Sequence, residues 1–220
     1  MLINEAKWLA NAIEELQLRP NSVFLNFGSQ TETYNLENQH IINYLVNPIR
    51  NNHILKNLDL QAGNGIDFTG NIYDDAFLDY LEQFKFDVIL LCNVLEHVVD
   101  IQDLCQRVQR LLSDNGFIVF SGPNDFPTHY DPIDNGFRPN VGDIQFLFRD
   151  MEMIKGEVIL DDTYLSYLKR SPKYLLSQIL RFLTPFYKFE KWKNVMLPKL
   201  RYLNKPYKVT CVIFKNKISK

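Results

Sequence analysis

Phe86–Pro123 constrains the fold more than any other stretch of the chain. Val88–Cys92 is a continuous apolar run of strand length, as expected for a strand covered on both faces. Asn93 opens a short polar corner, and Asp100 is placed to cap a helix in which Ile101, Leu104, Cys105, Val108, Leu111 and Leu112 share one face. Asn115-Gly116 has the composition of a left-handed C-terminal cap, and Phe117–Phe120 is a second buried strand. Strand, helix, strand at this spacing is a βαβ unit, with parallel strands and a right-handed crossover.

Around that unit the chain keeps alternating. Asn4–Leu18 carries Ala6, Leu9, Ile13 and Leu16 at helical spacing, with Trp8 beside them. Ser22–Asn26 reads as a first strand, Tyr34–Arg50 as helical with Pro48 near its end, and Ile54–Leu58 as a second strand ending at Asp59. Only Gln61–Gly65 separates it from Ile66–Ile72, too short for a helix. Asp74 caps Ala76–Phe84, Val141–Phe148 is helical, and Met153–Leu160 and Val209–Phe214 are strands.

The run F-D-V-I-L-L-C-N-V-L-E-H-V, followed by L-L-S-D-N-G-F-I-V-F-S-G-P, resembles the fourth through fifth strands of class I S-adenosylmethionine (SAM)-dependent methyltransferases. V-L-E-H-V is similar to the ubiquinone-biosynthesis-like, type 11-like branch. The resemblance implies an α/β fold, a Rossmann-like three-layer sandwich with a mostly parallel seven-strand sheet and an antiparallel last strand. It also implies one domain over 1–220, with a leading helix at 4–18, a core at about 20–165 plus 208–214, and an insertion at about 171–207.

The same resemblance implies SAM as cofactor and suggests its contacts. Asn26-Phe27-Gly28-Ser29 stands where the family has its glycine-rich first motif, whose glycines let backbone approach the ligand. Only Gly28 is kept, and Asn26 replaces the usual acid, so the loop is either divergent and working or has lost SAM. Asp59 is suited to ribose hydroxyls or is a solvated turn residue. Gly70-Asn71-Ile72 matches the adenine-contacting second motif with Asn for Asp, and Asn93 and Val94 border the cofactor.

Glu96 and His97 either orient or deprotonate an acceptor or hold the corner by hydrogen bonds. Some related enzymes use the Glu for a divalent ion. No second ligand cluster is visible in the sequence, and no metal is expected. Pro123–Pro139, rich in Pro, Asp and aromatics, is too long for a tight connection. In a doubly wound sheet such a loop borders the site. His129, Asp131 and Arg138 there grip or activate an acceptor, or the loop is held by its own salt bridge. Trp8 either lines the site or packs on the domain.

Charge separates one more segment. Ser171–Lys208 holds nine Lys and Arg against Glu190 alone. It interleaves them with Tyr174, Phe182, Phe186, Tyr187, Phe189, Trp192, Tyr202 and Tyr207 beside an apolar helical face of Leu175, Leu176, Ile179, Leu180 and Leu183. This suits packing on the core, peripheral membrane contact or a lipid-linked acceptor, or a homodimer interface. A nucleic-acid groove is the least favoured use. Three cysteines, odd in number and in apolar runs, are read as buried thiols. The N-terminus lacks the order of a signal peptide, so the expected location is cytoplasmic, with peripheral contact at the inner membrane face.

The expected activity is methyl transfer to an oxygen or nitrogen of a small molecule or saccharide, surface-polysaccharide or lipid-linked acceptors included. The competing expectations are a non-catalytic scaffold on the same fold and a membrane-associated adaptor. A nicotinamide enzyme is disfavoured, because no G-x-G-x-x-G follows the first strand.

Overall fold

The computed structural model describes residues 1–32, 36, 38–129, 133–186 and 188–217. Its strands are β1 (Val23–Phe27), β2 (Ile54–Asp59), β3 (Phe68–Thr69), β4 (Phe86–Cys92), β5 (Leu112–Asp125), β6 (Glu152–Thr163) and β7 (Pro206–Lys215). They form one sheet in the order β3-β2-β1-β4-β5-β7-β6. The pairs from β3 to β5 are parallel, and β7 lies antiparallel between β5 and β6. This is the expected Rossmann-like sandwich.

The three layers follow from alternation along continuous apolar strands. Leu25 and Phe27 of β1, Ile89 and Leu91 of β4, and Ile118 and Phe120 of β5 join one core with the helices Asp75–Glu82, Ile101–Arg110 and Val141–Leu147. Their neighbours Phe24, Val88, Leu90 and Val119 join the opposite core, with Leu9 and Ile13 of the Ile3–Glu15 helix and with Leu45 and Ile49. No helix connects β2 to β3 among the described residues, as the short Gln61–Gly65 segment requires.

Three of the boundaries that differ from expectation have a visible cause. The first helix ends at Glu15, not Leu18, because Gln17 turns left-handed at φ 48°. The helix after β4 ends at Arg110 with Leu111 as its cap, because Leu112 already pairs with Phe86 in the sheet. Asn115 does adopt φ 62°, but in the turn that leads β5 into Phe117. The insertion between β6 and β7 also begins earlier than residue 171: Tyr164–Arg170 is a helix capped by Thr163, ahead of Pro172–Leu183.

Two prolines shape the remaining helical segments. Gln39–Ile41 runs through a π-helical turn, Ile42–Val46, into Asn47–Asn52, where Pro48 sits inside the helix rather than near its end. A proline there has no N–H to give and its ring crowds the preceding turn. The chain answers by bonding the Asn47 N–H to the Ile42 carbonyl, five residues back. The same device recurs in the insertion, where the π turn Trp192–Met196 precedes Leu197-Pro198.

Candidate functional site

A cavity of about 600 Å³ opens at the carboxyl ends of β1 and β4, within the size range of small-molecule sites. Strand order reverses between these two strands, the place where doubly wound sheets bind ligands.

The β1 side of the cavity is lined by Asn26, Gly28 and Ser29. Gly28 adopts φ 69°, and a Cβ there would meet the Val94 side chain at 3.0 Å. Its N–H and that of Ser29 are both given to the Leu58 carbonyl. The Ser29 hydroxyl is buried with no hydrogen-bond partner. Asn26 donates to Asn57 Oδ1 at 3.2 Å. Phe27 and Val94 are buried in the core beneath this loop rather than in the cavity wall.

Asp59 stands one shell back. Its carboxylate accepts the Gln30 N–H at 3.1 Å and the Gln61 N–H at 3.0 Å, so it holds the cavity edge through Gln30. Gly70, Asn71 and Ile72 follow β3 outside the lining. The space a Cβ would take at Gly70 is filled by the Phe77 ring, Asn71 accepts the Tyr73 N–H at 3.1 Å, and Ile72 is buried.

The β4 side begins at Asn93, which takes φ 54° and gives its N–H to the Ser121 carbonyl. Its amide donates to Glu5 Oε1 at 2.6 Å, and the Ser121 hydroxyl donates to the same oxygen at 2.6 Å. Glu5 Oε2 accepts the Leu2 N–H at 2.8 Å, capping its own helix. This carboxylate is 1% exposed and lines the cavity. Helical periodicity does not single it out as functional, although Glu5 shares a face with buried Leu9 and Ala12, and a charge on an apolar stripe is the signal that marks it. The Ile3–Glu15 helix thus closes over the cavity through Met1–Glu5. Trp8 does not line it: its indole donates to Glu157 at 2.6 Å.

Leu95–His97 forms a 3₁₀ turn after Asn93. The loop after β5 docks on it. Asn135 gives its N–H to the Glu96 carbonyl and its amide to the carbonyls of Leu95 and Val98. His97 Nδ1 meets the Ile133 carbonyl. Arg138 is taken up within the loop, pairing with Asp134 at 2.7 Å, while Asp134 also accepts the N–H groups of His129 and Gly136. Although burial opposes it, the Arg138 guanidinium and these N–H groups hold Asp134 down to about 2. Asp131 lies outside the described residues.

This docking brings Glu96, His97 and His129 together. One ligand atom from each lies within 4.8 Å of the others, and the two histidines line the cavity. Glu96 is 1% exposed, and burial pushes its carboxyl up to about 7. Burial also lowers the His129 imidazole, favouring its neutral form.

The roof is the insertion. Tyr164, Tyr167, Arg170, Tyr174, Val195, Lys199 and Tyr207 line the cavity, and Tyr164, Leu168, Tyr202 and Tyr207 form a small core under it with Leu2 and Phe126 packed alongside. Tyr167 donates to Asp161, whose other oxygen takes the Asn4 N–H, joining roof to N-terminal helix. Tyr187 falls outside the described residues. Cys92 and Cys211 show no disulfide, nor does Cys105.

A family model described as a methyltransferase domain matches residues 47–118, about a third of the chain. The match starts after β1 and its single-glycine loop and runs through β4 into β5. Among solved structures, coclaurine N-methyltransferase bound to N-methylheliamine and S-adenosylhomocysteine (SAH) superposes with a TM-score of 0.57 at 11% identity, covering 95% of this chain and 72% of that one. The YcgJ protein of Bacillus subtilis gives a TM-score of 0.51 at 12% identity, covering 96% and 98%. The cyclase SpnF gives a TM-score of 0.54 at 11% identity, covering 97% and 81%. Identities this low speak to the fold. A search of curated protein sequences finds no match.

Proposed function

We infer that this chain, a class I SAM-dependent methyltransferase by its fold and by the domain matched over residues 47–118, methylates an oxygen or nitrogen of a small acceptor. One observation carries the reading: the cavity at the strand-order reversal, with a glycine cradle at one end and a polar cluster at the other. Fold alone would be weak support, since one architecture hosts many chemistries.

The residues present fit SAM. Gly28 holds φ 69° where a Cβ would press on the Val94 side chain, so glycine keeps this turn tight at the cavity edge, and the Ser29 hydroxyl is a buried donor and acceptor without a partner. Asn26 carries no charge, but Glu5 brings a carboxylate into the same cavity by a different route, suited to a cationic ligand. Asp59 has lone pairs left for ribose hydroxyls beside Gln30, and Gly70-Asn71-Ile72 stands next to it, where β3 ends, for the adenine.

When bound, SAM supplies an electrophilic methyl on a sulfonium. The chain's own part is alignment, exclusion of water and handling of the acceptor's proton. The insertion roof and Met1–Glu5 cover the cavity, while His97 and His129 line it and are suited by type to take the proton of an acceptor's nucleophilic atom. Phe126 and the tyrosines of the roof, with Arg170, suit an acceptor with a flat or saccharide body and a polar group.

The outer face of the roof bears on where that acceptor comes from. Leu176, Ile179, Leu180, Leu183 and Phe186 are exposed on and beside the Pro172–Leu183 helix, within the strongly basic segment. An apolar face flanked by cations fits an anionic membrane, and we propose peripheral contact there with a lipid-linked acceptor. No helix among the described residues is long and apolar enough to cross a membrane. A homodimer through the same face is the competing use, and sedimentation with anionic vesicles against ultracentrifugation of the protein alone separates the two.

The deciding experiment is calorimetric titration with SAM and SAH. Micromolar binding by the wild-type protein, weakened in Asp59→Ala, is the expected result. Absence of binding by well-folded protein would leave the scaffold reading.

A further inference from the structure

The roof of the cavity gathers positive charge that neither the fold nor a sulfonium cofactor calls for. Arg170 and Lys199 both line the cavity, whereas Glu5 is the one carboxylate among the described lining residues. That carboxylate is already taken up by the Leu2 N–H, the Asn93 amide and the Ser121 hydroxyl. A cationic ligand gains nothing from cations beside it, so the two side chains point to an occupant of the other sign.

The tyrosines around them show how such an occupant is held. The Arg170 guanidinium lies over the Tyr167 ring, 4.4 Å from its centroid, and donates from Nη2 to Asp162. Stacking uses the face of a guanidinium, and its N–H donors lie in the plane. Nε and Nη1 therefore keep donors without a partner among the described residues. Lys199 Nζ lies over the Tyr164 ring at 5.8 Å. Tyr207 joins the two, with its ring 6.2 Å from that of Tyr167 and in one small core with Tyr164. Burial raises the Tyr174 and Tyr207 phenols, so both stay protonated donors near neutrality. Tyr164 already donates to Gln178, whereas the hydroxyls of Tyr174 and Tyr207 have no acceptor among the described residues.

We propose that Arg170, Lys199, Tyr174 and Tyr207 form a subsite for a phosphate group, carried by the acceptor and held under the roof. The donors are of three kinds, a planar guanidinium edge, an ammonium and two phenols, and they reach the cavity from different elements. A carboxylate offers two oxygens in one plane, whereas a phosphate monoester offers three in a pyramid and a charge of about −1.5 to −2 at neutral pH. A mixed set of donors suits the second shape. Tyr167 and Asp162 already fix the plane of Arg170, which lowers the cost of ordering it around a ligand. Asp162 occupies Nη2 and offsets part of the charge without closing the edge. The same group is presented by a soluble phosphorylated molecule and by a lipid-linked one. That the phosphate belongs to the methyl acceptor rests on the methyltransferase reading, whereas the anion subsite does not.

The test titrates the full chain with inorganic phosphate by calorimetry, at constant ionic strength with chloride as the balancing anion. Saturable binding is expected, with affinity falling about fivefold or more in Arg170→Gln and in Lys199→Gln. It should stay unchanged in Arg149→Gln, which removes an arginine that also lies over a ring, that of Phe146, but outside the cavity lining. Circular dichroism melting confirms that each variant folds. Arg170 ends its helix and is exposed, so Arg170→Gln keeps the test open if Lys199→Gln does not fold. No saturable binding by folded wild-type protein, or equal binding by wild type and Arg170→Gln, would overturn the subsite. Glucose 1-phosphate in solution and vesicles containing phosphatidic acid, each compared between wild type and Arg170→Gln, tell a soluble acceptor from a lipid-linked one by which binding the variant weakens. Parallel SAM titration separates the two readings: phosphate binding without SAM binding keeps the subsite and removes the methyl transfer.

Discussion

The two ends of the cavity are built on opposite principles. At the β1–β2 end and just behind it, polar side chains already have partners: Asn26 on Asn57, and outside the lining Asp59 on Gln30 and Gln61 and Asn71 on Tyr73. Ser29 is the exception. At the β4–β5 end, Glu96 and His129 are held in place by satisfied neighbours yet keep buried atoms without partners. A satisfied side chain describes how a loop is shaped, while an unsatisfied one held rigid describes what the loop waits for. By this contrast the loop at Gly28 offers a ligand mainly backbone, and the Glu96–His129 end offers it side chains.

The sharpest way to break the comparison is at Glu96. Burial raises its folded-state value to about 7 from an ordinary 4.5, so the stability linked to its neutral form is full below 4.5 and is lost as pH rises through 7. Glu96→Gln has no such loss. It should match the wild type near pH 4.5 and exceed it by up to about 3 kcal/mol at pH 8, by urea denaturation. Equal pH profiles would mean that Glu96 is not strained by its burial.

Next in size is Gly28→Ala. The substitution meets Val94 at 3.0 Å and must hold φ 69°. SAM affinity should fall about a hundredfold, with about 1–2 kcal/mol lost in stability. Unchanged calorimetric binding would remove the backbone cradle from the site.

Asp134→Asn probes the supporting shell. Asp134 sits at about 2 against an ordinary 3.8, so its contribution of about 2 kcal/mol is present above 3.8 and is lost as pH falls through 2. The variant should lose that amount at neutral pH and show a flatter acid limb in thermal melts. Glu5→Gln is the mildest. It keeps the shape and removes a charge, so SAM affinity should fall about tenfold and SAH affinity less, since SAH lacks the sulfonium. Equal losses for both ligands would assign Glu5 to packing alone.

Wherever local pattern decides, the chain is legible without coordinates. Apolar runs of strand length at Val88–Cys92 and Phe117–Phe120, the cap at Asp100 and the short Gln61–Gly65 link specify a doubly wound sheet, because burial on both faces leaves a strand no other pattern. Gly28 is legible for a similar reason, as a lone glycine directly after a strand. What tertiary structure alone decided is which distant residues meet. Glu5 meets Asn93 and Ser121 from 88 and 116 residues away in sequence, His129 comes to Glu96 because Asn135 and Asp134 fold the loop back, and the basic segment becomes a roof through Tyr164, Tyr202 and Tyr207. Such encounters depend on the closure of long loops and on the partners each polar group finds when buried, and no periodicity records either.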